Sequence, residues 1–286
     1  MRFLVLGAGG MAGHLASIYL SEKGHDVVGL ARRELPFLEE SVVCDARDEA
    51  SLRMIVKDGS FDAVVNLIGV LNAAADRDPA AAVFLNSYLP HMLAEATEGM
   101  PARVIHVSTD CVFAGNTGPY TEASAPDGRT MYDATKALGE LKDDKNLTLR
   151  QSIVGPDINE GGIGLLNWFM AQQGSVGGYS NAMWTGLTTL ELAKAVEQCA
   201  QDGSAGLVNM VPDSAISKLE LLRLFNAHMR KDPVDIEPVE EPHLDKSLVR
   251  TNWSPSFEAS PYEKQVEELA AWMRAHSELY PHYRLD

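Results

Sequence analysis

The chain has 286 residues, 45% of them hydrophobic and 22% charged, close to an ordinary globular composition. Its 24 Lys and Arg against 40 Asp and Glu give a formal charge of -16, which argues against a nucleic-acid surface, because phosphate backbones are met by clustered cations. No apolar run approaches the ~20 residues needed to cross a bilayer. The three cysteines, Cys44, Cys111 and Cys199, are far apart and suggest neither a disulfide framework nor a zinc cluster, so a cytoplasmic protein is expected.

In chain order, residues 3–6 form a short apolar strand ended by glycines, and 11–23 read as a helix closed by Gly24. Strands follow at 27–30 and 41–44, then a helix at 51–57. Residues 63–68 are an uninterrupted apolar strand, the pattern of a sheet buried on both faces. The alanine-rich 79–98 read as one helix, 104–108 as a strand, 132–142 as a helix and 148–154 as a strand. This alternation predicts an α/β, Rossmann-type doubly wound parallel sheet with helices on both sides. After Gly155 the rhythm breaks, and 161–186 are rich in glycine and aromatics. Helices at 189–200 and 217–229 carry N-cap signals, Thr188 or Thr189 for the first and Ser217 with Glu220 for the second. Between them 206–211 read as a strand, and 232–241 as a loop or short edge strand. A last helix carries Val266, Leu269, Ala270 and Met273 at helical spacing. The expected organisation is a dinucleotide-binding unit over 1–154, with 187–210 returning to it, and a smaller C-terminal substrate-binding lobe from 155–186 and 211–286.

Gly7-Ala8-Gly9-Gly10-Met11-Ala12-Gly13 stands between the first strand and the first helix. Glycines at 7, 10 and 13 permit a tight turn, a close approach of pyrophosphate to backbone, and close helix packing, with the amides around Gly9 and Met11 facing the ligand. An acid at the tip of the second strand would favour NAD(H). Arg32 and Arg33 stand there instead and favour NADP(H) over NAD(H). Asp45, after the third strand, is suited to accept from an adenine amino group, or is a surface-loop carboxylate.

Two further segments carry chemistry: Ser108-Thr109-Asp110-Cys111-Val112-Phe113-Ala114-Gly115 and Tyr132-Asp133-Ala134-Thr135-Lys136. A Tyr and a Lys four apart share a helix face, and a nearby ammonium is expected to lower the tyrosine pKa, giving a phenol able to protonate a forming alkoxide. A hydroxyl at a strand's C-terminal end, Thr109 or Ser108, can hydrogen-bond the same oxygen. Trp168, Met183 and Trp184 either flank the substrate or fill the core. Arg150 is expected to pair with a helix acid, His106 to be a core residue, and His14 to lie on a helix surface. No metal-ligand cluster is visible.

These segments, STDCVFAGNTGPYTE and YDATKALGE above all, resemble the extended short-chain dehydrogenase/reductases, and within them the dTDP-4-dehydrorhamnose reductase group. The resemblance covers the first half closely and the later lobe loosely. It implies reduction of a keto group on a nucleotide-linked deoxy sugar, in polysaccharide precursor synthesis, with a homodimer possible. Thr109, Tyr132 and Lys136 would be catalytic, Asn66 and Gly69 would line the cofactor with Tyr132 and Lys136, and Asn86 matches an asparagine common in the following helix. Cys111, on the substrate side, stands where the group usually has tyrosine, and Asp133 where it usually has glycine. The same fold also hosts epimerases and dehydratases, and a non-catalytic NADP-binding subunit similar to the beta subunit of methionine adenosyltransferase. Asp110-Cys111 lacks the Asp-Glu pair that a dehydratase usually wants.

Overall fold

The structure is a computed structural model and describes residues 1–285. The first half contains β1 (Arg2–Leu6), α1 (Met11–Glu22), β2 (Asp26–Ala31), β3 (Glu40–Val43), α2 (Glu49–Asp58) and β4 (Ala63–Asn66). There follow α3 (Asn72–Arg77), α4 (Pro79–Ala82), α5 (Leu89–Ala96), β5 (Arg103–Ser108), α6 (Met131–Leu138), β6 (Leu147–Arg150) and β7 (Ser152–Val154). The second half adds α7 (Leu165–Met170), β8 (Ser175–Tyr179), β9 (Ala182–Trp184), β10 (Gly186–Thr188), α8 (Thr189–Asp202) and β11 (Gly206–Asn209). It ends with β12 (Ile216–Ser217), α9 (Lys218–His228), β13 (Asp235–Val239), β14 (Leu244–Asp245) and α10 (Tyr262–Ala275).

Seven of these strands form one parallel sheet in the order β11-β6-β5-β4-β1-β2-β3. Successive residues of β1 serve opposite faces. Phe3 and Val5 join the core under α1, α8 and α10, whereas Leu4 and Leu6 join the core under α2 and α5. Both sets are apolar because both faces are covered. Each such side chain contributes roughly 1.5–3 kcal/mol by leaving water. The order of connection reverses at β1, between β2 and β4, so a crevice opens at the carboxyl ends of β1 and β4. The remaining strands pair in small sheets: β7 with β10, β9 between β12 and β14, and β8 with β13.

Several boundaries differ from the sequence expectation, each for a local reason. The strand expected over 63–68 stops at Asn66, whose Oδ1 accepts the Ile68 N–H at 3.2 Å and turns the chain out of the sheet. The helix expected over 79–98 is interrupted by a π turn at Val83–Tyr88. Pro90 has no N–H to offer the carbonyl four residues earlier, and the Leu89 N–H bonds to the Phe84 carbonyl instead. The expected strand 148–154 breaks at Gln151 into β6 and β7, which lie in different sheets. Helix α6 ends at Leu138 rather than 142, and α3 has no counterpart in the sequence reading. The caps at Thr188 and Ser217 are present as expected, each accepting from the backbone of a glutamate three residues on.

Candidate active site

The glycine-rich turn forms the first wall. Gly7 has φ +79°, and its N–H and that of Ala8 both donate to the Leu30 carbonyl, at 3.0 and 3.2 Å. A Cβ on Gly13 would sit 2.0 Å from the Gly7 carbonyl oxygen, so only glycine lets α1 lie this close to the turn. Gly10 caps α1 without a side chain, leaving the first-turn amides uncovered by any cap. Gly9 and Met11 are half-buried beside them. Such a bare, positively polarised helix start suits a pyrophosphate.

His14 does not lie on the surface, as expected, but is fully buried. Its Nδ1 faces the Gly10 carbonyl at 2.9 Å and its Nε2 faces the Tyr280 hydroxyl at 2.7 Å. The carbonyl can only accept, so Nδ1 carries the proton and Tyr280 donates to Nε2. Burial lowers the His14 pKa and keeps the ring neutral. The C-terminal segment thereby fastens onto the start of α1. Tyr283 extends the fastening, accepting the Asp157 N–H at 3.0 Å and donating to Asn167 at 2.6 Å.

At the tip of β2, Arg32 and Arg33 are exposed, and Arg33 donates to Asn159 Oδ1 at 2.8 Å. Asp45 is held by Arg47, whose Nη2 lies 2.6 Å from Oδ2, and this pairing lowers its pKa to about 2. Beyond β4, Asn86 clamps the loop that contains Gly69. Its Oδ1 accepts the Val70 N–H at 2.8 Å, while its Nδ2 donates to the Val70 carbonyl at 3.0 Å and to Thr135 Oγ1 at 3.0 Å. Asn86 thus ties this loop to α6.

The second wall is built by the end of β5 and by α6. Asp133 makes a capping box with Thr130, and its Oδ2 also accepts the Arg129 N–H at 3.1 Å. The acid that replaces a glycine here fixes the entry of the helix. Tyr132 is 8% exposed, and Thr109 is the neighbour that favours its ionised form. Thr109 Oγ1 accepts the Cys111 N–H at 3.1 Å and donates to Asp110 Oδ1 at 3.2 Å. Ser108 turns the other way: its Oγ donates to Glu140 at 2.9 Å. Glu140 in turn receives Arg150 through Nε at 2.7 Å and Nη2 at 2.6 Å, with both side chains fully buried. Arg150 pairs with an acid as expected, though Glu140 stands two residues past the end of α6 rather than in a helix, and Thr109 is the hydroxyl residue that acts on Tyr132.

The expected lowering of the Tyr132 pKa by Lys136 is not found. Burial is the largest influence and pushes the phenol pKa up, and Cys111, Asp110 and Asp133 add to it. Lys136 points to the sheet: its Nζ donates to the Val107 carbonyl at 2.7 Å and meets His106 Nε2 at 3.3 Å. Burial lowers the pKa of this lysine to about 8.

The remaining expected residues divide. Trp184 is buried against Tyr262, with its Nε1 unpartnered and Lys218 Nζ 4.9 Å from its ring centre. Lys218 and Lys246 both act electrostatically on the buried Asp110, whose pKa is raised by burial. The sequence reading gives these two lysines no site role, because nothing in their spacing links them to Asp110. Met183 is half-buried on β9, and Trp168 on α7 is 45% exposed with its ring tilted against Phe169.

Residues 1–154 match the family model of the RmlD substrate binding domain. The chain belongs to that family. A dTDP-4-dehydrorhamnose reductase of Streptomyces griseus is 34% identical over 140 residues, which cover 49% of this chain and 43% of that protein. The chain thus spans less than half the length of this relative. The namesake from Mycobacterium tuberculosis (strain CDC 1551 / Oshkosh) is 26% identical over 267 residues, 88% of this chain and 84% of that protein. The Bacillus anthracis dTDP-4-dehydrorhamnose reductase, solved in complex with NADP, superposes with a TM-score of 0.78 at 16% identity, covering 95% of this chain and 99% of that one. At that identity the likeness shows the fold. The RmlD-type fold therefore extends beyond the matched first half into the second. Among the described residues no helix is long and apolar enough to cross a membrane.

Proposed function

We propose that this RmlD-family chain is an NADPH-dependent reductase of a keto group on a nucleotide-linked deoxy sugar, working in cytoplasmic synthesis of polysaccharide precursors, with a homodimer as its assembly. Residues 1–154 with 187–210 would form the cofactor unit, and 155–186 with 211–286 the substrate lobe. The observation that carries the reading is the placement of Thr109, at the carboxyl end of β5, where it acts on the buried Tyr132 hydroxyl, with Lys136 one helical turn behind.

The cofactor fits the residues present. Gly7, Gly9, Gly10, Met11 and Gly13 would take the pyrophosphate at a helix start that bears no side-chain cap. Arg32 and Arg33 would take a 2′-phosphate, Asp45 the adenine side, and Asn66 and Gly69 the floor near the ribose. When bound, NADPH supplies a hydride for the keto carbon. The carbonyl oxygen would gain the proton of the Tyr132 hydroxyl as the C=O double bond becomes single. Thr109 would turn its hydroxyl proton from Asp110 to that same oxygen and hold it in line. A phenol kept protonated by burial is the form that a reduction consumes first. Lys136 would release its proton toward the phenolate to restore the cycle. Cys111, Trp168, Met183 and Trp184 would border the sugar nucleotide, with Lys218 and Lys246 on the side of its anionic groups.

The test is a panel of nucleotide-linked 4-keto sugars with NADPH absorbance as readout. At least one sugar is expected to drive NADPH consumption. Tyr132→Phe should bind NADPH normally yet turn over about 10²–10⁴-fold more slowly. Dinucleotide binding without turnover on any sugar would overturn the reading in favour of a binding subunit. Tightly held oxidised cofactor in the purified protein would overturn it in favour of an epimerase.

A further inference from the structure

The two arginines at the tip of β2 are held differently. Arg32 is exposed and acts electrostatically on Asp45, beyond β3. Arg33, also exposed, reaches a segment of the second half instead, donating from Nη2 to Asn159 Oδ1 at 2.8 Å. Asn159 lies in residues 157–164, which lead into α7 and are shaped from within. Asp157 is buried, and its Oδ1 accepts both the backbone N–H and the Nδ2 of Asn159, each at 2.8 Å. Asn167 on α7 donates from Nδ2 to the carbonyls of Glu160 at 3.0 Å and Gly162 at 2.6 Å. At the other end Gly164 stands against the first residue of α1, where an added Cβ would lie 3.3 Å from Met11 Sδ. The segment therefore links the tip of β2 to the start of α1, the places suited to a 2′-phosphate and a pyrophosphate.

The orientation of the Asn159 amide follows from its neighbours. A guanidinium has no acceptor, so the atom that faces Arg33 is the amide oxygen, and the NH₂ falls to Asp157. Arg33 gives one N–H to this contact and keeps the rest of its donor fork for an anion. An exposed arginine ordinarily surrenders its rotamer freedom when it grips a phosphate, and that loss weakens binding. At Arg33 the side chain is already placed when the chain folds.

We infer that Asn159 is a positioning residue for coenzyme choice, holding Arg33 ready for the 2′-phosphate before the dinucleotide arrives. It raises the affinity for NADP(H) and leaves that for NAD(H) unchanged, because NAD(H) has a hydroxyl in place of that phosphate and makes no demand on Arg33. The inference rests on the reading of the chain as an NADPH-binding protein. It does not depend on the sugar or on turnover.

The experiment is a calorimetric titration of the full chain with NADP⁺ and with NAD⁺, in the absence of sugar. Asn159→Ala keeps the backbone N–H that Asp157 accepts and leaves the Asn167 and Tyr283 contacts in place, so the segment keeps its shape. It should weaken NADP⁺ binding about fivefold, the scale of immobilising one long side chain, and NAD⁺ binding less than about twofold. In an Arg33→Ala background the same substitution should change neither, because the partner it acts through is gone. Nitrogen relaxation at Arg33 Nε, measured without dinucleotide, should report an ordered side chain that becomes mobile in Asn159→Ala. An unchanged NADP⁺ affinity, equal weakening of both dinucleotides, or an Arg33 already mobile in the unaltered protein overturns the inference alone. An unaltered protein that binds neither dinucleotide, or that prefers NAD⁺, overturns the NADPH reading together with it, so the two failures are told apart.

Discussion

Replacing Glu140 by alanine should reveal how much of the site's rigidity comes from one buried ion pair. Arg150 is the largest fully buried side chain, and Glu140 holds it through two hydrogen bonds of 2.7 and 2.6 Å. Without Glu140, the guanidinium keeps Asn209 at 3.5 Å and the ring of Phe113 at 5.0 Å, neither a match for a carboxylate. Breaking such a pair from one side costs about 3–5 kcal/mol, because a desolvated charge is left behind. That is a large share of the about 5–15 kcal/mol that a folded domain has in total. Urea unfolding followed by circular dichroism should show a midpoint loss of this size. The double variant Glu140→Leu with Arg150→Met should recover much of it, since neither charge then remains. Ser108 would also lose its acceptor, loosening the end of β5 next to Thr109. A Glu140→Ala loss below about 1 kcal/mol would refute the reasoning, as it would assign the pair the value of a surface salt bridge.

Other consequences follow from the same contacts. Gly13→Ala puts a Cβ 2.0 Å from the Gly7 carbonyl oxygen and 2.8 Å from Ala8 Cα, all backbone that cannot rotate away. It should cost roughly 1–3 kcal/mol and weaken NADPH binding in calorimetry at least about tenfold. Tyr280→Phe removes the donor to His14 Nε2 and should cost about 1–3 kcal/mol in thermal or urea unfolding, with α1 of the cradle loosened first in hydrogen exchange. Lys136 gives a pH signature. Its folded pKa of about 8 lies below the unfolded ~10.4, so between these values the unfolded chain binds more protons and stability rises with pH. Lys136→Met should remove that rise, as seen by comparing unfolding midpoints of both proteins across the window.

The parts legible in the sequence were those that depend on neighbours along the chain. The glycines of residues 7–13 announce a turn and a close helix, and both are present with the spacing read from them. Caps at Thr188 and Ser217 were readable because a cap and its amide lie three residues apart. The Tyr132–Lys136 pair shares α6, as its spacing implies, but its electrostatics were not legible. Lys136 turns to Val107 and His106 on a strand some thirty residues earlier, and burial rather than the ammonium governs the tyrosine. His14 was misjudged for the same reason, since Tyr280, which helps to bury it, is 266 positions away. The break at Gln151 was not read, because residues 148–154 hold no glycine or proline to end a strand, and it is the partners, β5 and β11 for β6 and β10 for β7, that pull the two apart.

Reductase chemistry in this protein is defined by where a hydride goes. NADPH carrying deuterium at the transferring position of its nicotinamide, incubated with the protein and a 4-keto sugar nucleotide, should deliver the label to the former carbonyl carbon, one deuteron per sugar reduced, as read by mass spectrometry and NMR. Product without label, or label that stays with a dinucleotide the protein never releases, would contradict it.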